Sequence, residues 1–390
     1  MISELTMSND GLVLWRSSDQ EPIAARVAVA GDFLPAGKLE LPLGHDWGPA
    51  SKALAPHFKG VWTSFVNLEC SIDANGLAAR SPNGLGQIVS APSAAIEYLV
   101  GIRCGAIGFA NNHSYDFGGA GVERTRRAVE RSGLSMVGAG HTSSGPPDVH
   151  LIDGPCGIKI GLWAAAKASH ELATRSSAGV EPASIRRAVE AIGLLKTRGA
   201  AFSVALLHAG VLRANRPDPS DLRLMDEMAQ AGFDVVAASH SHRISGAKLL
   251  RGKSKRPAFC FYGLGSLVSG FVASPEEREG LVVVAGLNAS GAVGSVEVKP
   301  VWLADSGIGE VPAPEISLAI LGRFQQLCAE IASGSFEKLF YQEISRGLVK
   351  LYLRDIRAAL RQSGVPGLLR KGGRIRMRHL RRIAHGLLAG

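Results

Sequence analysis

Residues Ile107–Gly118 read IGFANNHSYDFG. Ile107, Gly108 and Phe109 suit a short buried strand, and Asn111-Asn112-His113 then sets three polar side chains in a row. A buried strand that breaks into polar residues places them at its C-terminal edge, where α/β sheets bind ligands. The residues from Gly119 to Ser132 are compatible with a helix, so the unit reads strand, loop, helix. An amide beside an imidazole suits a metal or phosphate site, although Asn, His and Gly118-Gly119 are also ordinary turn chemistry. The stretch gains meaning from others of the same design.

Four more strands end in donor residues. Arg26–Ala30 (RVAVA) runs into Gly31-Asp32, and Val61–Leu68 (VWTSFVNL) delivers Asn67 and Glu69. A buried, unpaired Glu69 would carry a heavy desolvation cost, so a cation or solvent must relieve it. Ala201–Leu207 runs straight into His208, and Phe233–Ala238 into Ser239-His240-Ser241-His242. His240 and His242 are two apart, so on an extended strand end they share a face and can grip one ion. A single strand-end residue of this kind is ordinarily structural. Five such ends, offering oxygen and imidazole and no thiolate, point to one shared site for a divalent ion: Mn, Fe, Zn or Mg.

The remaining chain frames these strands. Residues 1–21 read as a loose N-terminal lead-in, residues 22–308 as the main α/β domain, and residues 309–390 as a helical, basic C-terminal extension that opens on Pro312-Ala313-Pro314. Helices are expected at 94–100, 182–197, 219–231 and 316–331, and a hairpin over 151–164. The stretch 71–92 is a long loop of the kind that often serves as a substrate lid. With 46% hydrophobic and 20% charged residues, 390 residues suffice for one large domain or two ordinary ones. The 47 glycines suggest tight βα loops rather than a helical bundle.

Five scattered cysteines without a CxxC pair indicate neither a thiolate zinc site nor a disulfide framework, and fit a reducing compartment. No basic-then-apolar leader and no apolar run of ~18 residues is visible, so a cytoplasmic protein is expected. The net charge of +9 is concentrated between Arg346 and Arg382, where only Asp355 opposes the basic residues. Arginines mixed with Leu380, Ile383, Leu387 and Leu388 could form a basic amphipathic helix on an anionic membrane, peripheral on its inner face. Nucleic acid is the rival partner, but neither aromatic interleaving nor a DNA-binding motif accompanies the arginines.

Taken together, Gly31-Asp32, Asn67-Leu68-Glu69, Ala110-Asn111-Asn112-His113-Ser114 with Asp116 and Gly118, His208-x-Gly210, the His-x-His at 240 and 242, and Tyr262-x-Leu264-Gly265 resemble the bacterial capsule synthesis (CapA-like, poly-γ-glutamate capsule) family. That family is similar to the calcineurin-like metallophosphoesterases. The resemblance runs over about residues 25–270, and the Asn-Asn-His block is its most specific part. It implies a four-layer αββα sandwich of two mixed β-sheets and a site for two divalent ions. Asp32, Glu69, Asn112, His208, His240 and His242 would be ligands. His113 would be the acid or oxyanion stabiliser, with Asp116 behind it. The substrate would be an anionic small molecule or polymer, and the activity that of a hydrolase or transferase in surface-polymer biosynthesis. The alternative is a non-enzymatic, membrane-peripheral assembly factor. Three positions depart from the pattern: Leu34 stands where phosphoesterases of this class usually carry histidine, Ser239 where the capsule family usually has another histidine, and Ala209 where it usually has tryptophan.

Overall fold

Two mixed β-sheets lie face to face, with helices on both outer faces. The description rests on a computed structural model and covers residues 6–8, 11–19, 21–39, 46–79, 88–167, 169, 171–251 and 256–345. The first sheet runs in the order Thr6–Ser8, Gly11–Arg16, Val293–Leu303, Glu279–Leu287, Ala25–Gly37, Thr63–Leu68, Cys104–Gly108, Ser135–Val137. Its last four strands are parallel and the rest antiparallel. The second sheet runs Val149–Asp153, Lys159–Ala166, Phe202–His208, Val235–Ser239, Pro257–Phe261, Ala247–Arg251, with parallel pairing at its centre.

Burial on both faces explains the central strands. Thr63–Leu68 and Phe202–His208 are buried at every position. They read as near-continuous apolar runs, as strands of two-sided parallel sheets do. Between the sheets, Val27, Val29 and Phe65 of the first meet Leu162, Val204, Leu206 and Phe259 of the second. Outside the first sheet pack helices Ile96–Gly101 and Gly118–Arg131, and outside the second Ile185–Thr197 and Pro219–Ala231. The last two have sequence-encoded starts: the Ser184 side chain accepts from Arg187 N, and Asp218 accepts from Ser220 N just before Pro219. The four-layer αββα sandwich is therefore the observed fold.

Several details differ from the sequence reading. The lead-in is not loose throughout, because Gly11–Arg16 pairs with Val293–Leu303 and buries Leu12 and Leu14. The strand expected to stop at Ala30 continues to Gly37, since Ser266–Gly270 pairs alongside it from Asp32 onward. Asp32 thus sits at a register shift inside a 13-residue strand rather than at a strand end. The first helix of the C-terminal extension, Pro314–Ser333, buries Ile320, Leu321, Phe324 and Leu327 in the core between the sheets. Within 71–92, Ser71–Ile72 pairs with Ser90–Ala91, and residues 80–87 fall outside the described residues, so the lid expectation does too. The basic stretch from Arg346 onward also falls outside them. Among the described residues no helix is long and apolar enough to cross a membrane.

One close approach fixes the strand that carries Asp32. Asp32 N donates to Gly265 O at 3.0 Å, and a Cβ on Gly31 would lie 2.0 Å from that same oxygen. Gly31→Ala is expected to destabilise the chain by about 1–3 kcal/mol or more, as forced overpacking does. A thermal melt equal to that of the parent chain would contradict this account of the contact.

Candidate metal centre

The parallel strands of both sheets deliver polar residues to one place. Asp32 pairs in register with Asn67, and Asn67 with Gly108, three residues before Asn111. In the second sheet His208 pairs with Ser239, next to His240. Six side chains from the two sheets meet here: Asp32, Glu69 and Asn112 from the first, His208, His240 and His242 from the second.

The distances are short. His208 Nε2 lies 2.6 Å from Asn112 Oδ1 and 3.3 Å from Glu69 Oε1. His242 Nδ1 lies 3.2 Å from Asp32 Oδ2 and 3.8 Å from Glu69 Oε2. The His208 and His240 rings are 4.5 Å apart between centroids. Donor atoms of Glu69, His208 and His240 lie within 4.8 Å of one another, and so do those of Asp32, Glu69 and His242. Glu69 belongs to both groups.

Asp32 and Glu69 are 0% and 1% exposed. Asp32 is well supplied: it accepts from Asn67 Nδ2 at 2.7 Å and from His240 N at 3.0 Å. Glu69 Oε2 and His240 Nδ1 are buried without a hydrogen-bond partner. Buried polar atoms nearly always find partners, so two orphans on residues of one cluster call for a missing group. An oxygen and imidazole donor set suits a divalent cation. The backbone is strained here as well, with φ of 105° at His240 and 55° at His242. Such strain persists only where surrounding contacts hold it, and it gathers at functional sites.

His113 and Asp116 form a dyad at the edge. His113 Nδ1 is 2.8 Å from Asp116 Oδ2, which also accepts from Val89 N at 2.9 Å. Holding Nδ1 leaves Nε2 as the ring atom free to exchange a proton. Asn111 braces this loop: its Nδ2 donates to Leu68 O at 2.6 Å, and its Oδ1 accepts from His113 N at 3.0 Å.

Two participants carried no assigned role in the sequence reading. Asn67 Nδ2, besides binding Asp32, lies 3.3 Å from His208 Nδ1 and so links the sheets. Ser266 Oγ lies 3.2 Å from His242 Nδ1. The Asn67-Leu68-Glu69 spacing could have flagged the first; nothing in the sequence marks the second. Leu34 packs into the apolar layer on the helix side of the first sheet and adds no donor. Arg213, Arg216 and Arg243 lie beside these motifs, and each pairs with a carboxylate of the chain: Glu277, Glu330 with Glu343, and Glu276.

The model of the family described as bacterial capsule synthesis protein PGA_cap matches residues 26–270. The PGA biosynthesis protein CapA of Bacillus subtilis (strain 168) is 25% identical over 176 residues, 45% of each chain. The capsule biosynthesis protein CapA of Bacillus anthracis is 24% identical over 167 residues, 42% of this chain and 39% of that one. The matched part is thus less than half the length of these two relatives. A probable polyglutamine synthesis accessory protein of Mycobacterium tuberculosis (strain H37Rv) is 26% identical over 248 residues, 60% of this chain and 63% of that one. Among solved structures, the calcineurin-like phosphoesterase YfkN of Bacillus subtilis aligns with a TM-score of 0.43 at 14% identity, covering 79% of this chain and 98% of that one.

The cluster's charges make stability depend on pH. Burial, with Asp32 nearby, pushes the Glu69 carboxyl up to about 8. Burial opposes charge on His242, but Glu69 and the hydrogen-bonded Asp32 outweigh it and lift it to about 9. Burial pulls His208 down to about 3, and His240 also falls well below its ordinary value. Below about pH 6.5 the unfolded chain binds more protons through His208 and His240, so acid destabilises the fold. From there to about pH 9 the folded chain holds the extra protons on Glu69 and His242, so rising pH destabilises it. In chelator, melting temperature is expected to peak near neutrality and fall toward pH 9, by on the order of 2 kcal/mol of stability. A melt that rises steadily from pH 6 to 9 would refute this charge assignment.

Proposed function

The chain belongs to the bacterial capsule synthesis protein PGA_cap family, and on that premise we propose a metal-dependent hydrolase or transferase that acts on an anionic substrate in surface-polymer biosynthesis. One observation carries the reading: two donor triads share the buried Glu69, and Glu69 and His240 each keep a buried polar atom without a partner. Asp32, Glu69 and His242 would hold one ion. Glu69, His208 and His240, with Asn112 beside His208, would hold a second. When bound, such ions supply an activated water and a Lewis acid for an oxyanion.

The chain's own residues support this chemistry. Asp32 anchors the His240 backbone, and Asn67 holds Asp32 and His208 in one arrangement. Burial works against a charge on His113, yet the hydrogen bond from Asp116 and the field of Glu69 raise its pKa. This favours the protonated ring, from which a proton could pass to a leaving oxygen through Nε2. Asp116 fixes the tautomer that makes this transfer available.

A second reading, a non-catalytic assembly factor for the polymer, is favoured by Leu34, which leaves the Asp32 triad with a single imidazole. The basic stretch from Arg346 would hold either version on an anionic membrane. Liposomes containing anionic lipid are expected to float the full chain but not one truncated before residue 346, and equal flotation would end that idea.

Metal analysis with an aryl phosphate assay separates the two readings. The purified chain is expected to carry divalent metal and to hydrolyse the ester. His240→Ala should retain its fold and lose at least one ion, and His113→Ala should keep metal while losing about 100-fold or more in turnover. A parent chain with bound metal and no turnover on any phosphate ester would favour the assembly factor. One without metal would overturn the site assignment.

A further inference from the structure

The helix at residues 336–345 lies beyond the stretch that the family model matches, yet it touches the loops that carry the imidazoles. Phe340 and Ile344 form a small apolar cluster with Ala214, flanked by Val211 and Tyr341. Glu343 reaches the same loop: Oε1 accepts from Asn215 N at 3.0 Å, and Oε2 from Arg216 Nη1 at 3.3 Å. Arg243, the residue after His242, has its Nη1 3.9 Å from Glu343 Oε1.

Asn215 is the junction. Its Nδ2 donates to Ile244 O at 3.0 Å, and its Oδ1 accepts from Arg243 Nη1 at 3.1 Å. Arg213 N donates to Ser241 O at 2.9 Å, between the two histidines. The loop after His208 and the turn around His242 are therefore tied to each other, and Glu343 ties the pair to the helix. That turn holds two residues at positive φ, a conformation that relaxes unless its surroundings fix it.

We infer that Glu343 is a positioning residue for the metal centre, which the helix at 336–345 clamps through the Asn215 junction so that His208 keeps its place and His240 and His242 their strained backbone. The clamp acts on the proposed metal centre and rests on that reading. Glu343 touches none of the six donors. It acts through Asn215, Arg216 and Arg243. Partners one step removed from a metal ligand commonly set its orientation and affinity.

Glu343→Gln in the full chain tests the inference, because the side chain keeps its shape and loses its charge. Amide hydrogen exchange of the metal-free chain is the first measurement. Residues 209–216 and 239–245 are expected to exchange about tenfold faster, with the strands of both sheets unchanged, as loss of a charge-assisted hydrogen bond implies. Binding of Mn or Zn, measured by chelator competition, should weaken about 10-fold or more. Glu343→Asp should restore part of both effects. Unchanged exchange in the two loops would overturn the clamp whatever the metal result. Faster exchange in Glu343→Gln, with a parent chain that binds no ion, would leave the clamp standing and remove the metal reading instead.

Discussion

Two carboxylates, Asp32 and Glu69, sit next to each other out of reach of water. Neither burial nor like charge is tolerated without compensation, since an unpaired buried charge destabilises a fold by several kcal/mol. Asp32 is neutralised within the chain by His242 and two nitrogen donors. Glu69 is not, and its answer is to hold a proton up to about pH 8. A dication among these oxygens and imidazoles would relieve both Glu69 and the orphaned His240 nitrogen.

The same constraint explains why the sandwich needs both sheets. The carboxylates come from the first sheet and the imidazoles from the second. Asn67 reaches His208, Asp32 reaches the His240 backbone, and Ser266 reaches His242. Each of these contacts crosses between segments far apart in sequence, so none can form before the sheets dock. The apolar layer between the sheets supplies the driving force for docking, and the polar cluster fixes the alignment. The contact of Gly31 with Gly265 belongs to this logic, because it lets two backbones approach closely enough to carry Asp32 to the boundary.

Much of this was legible in the sequence, for a physical reason. Central parallel strands are buried on both faces, so Thr63–Leu68 and Phe202–His208 are apolar runs, and the polar residues that follow them mark the edge. All six donors stood out in this way. What was not legible depends on partners distant in sequence. Asp32 looked like a strand end because Gly31-Asp32 interrupts an apolar run, and nothing local shows that Ser266–Gly270 will prolong the strand. Gly11–Arg16 looked loose because its partner lies nearly three hundred residues later. Arg213, Arg216 and Arg243 lie beside ligand motifs, and the glutamates that claim them are remote in sequence, so their pairing was not legible locally.

The two triads are not chemically equal. Leu34 packs into the layer beneath the helices and adds a donor to neither. That leaves two carboxylates and one imidazole on one side, against one carboxylate and two imidazoles on the other. Oxygen-rich sets suit Mg or Mn, and imidazole-rich sets suit Zn or Fe. Asn67 adds to the contrast, since its amide already occupies Asp32 Oδ1 and leaves less of that carboxylate for a cation. The His208 and His240 side is thus the better-furnished half of the site. An ion there would be held more firmly, and the Asp32 side would load as the weaker and harder partner.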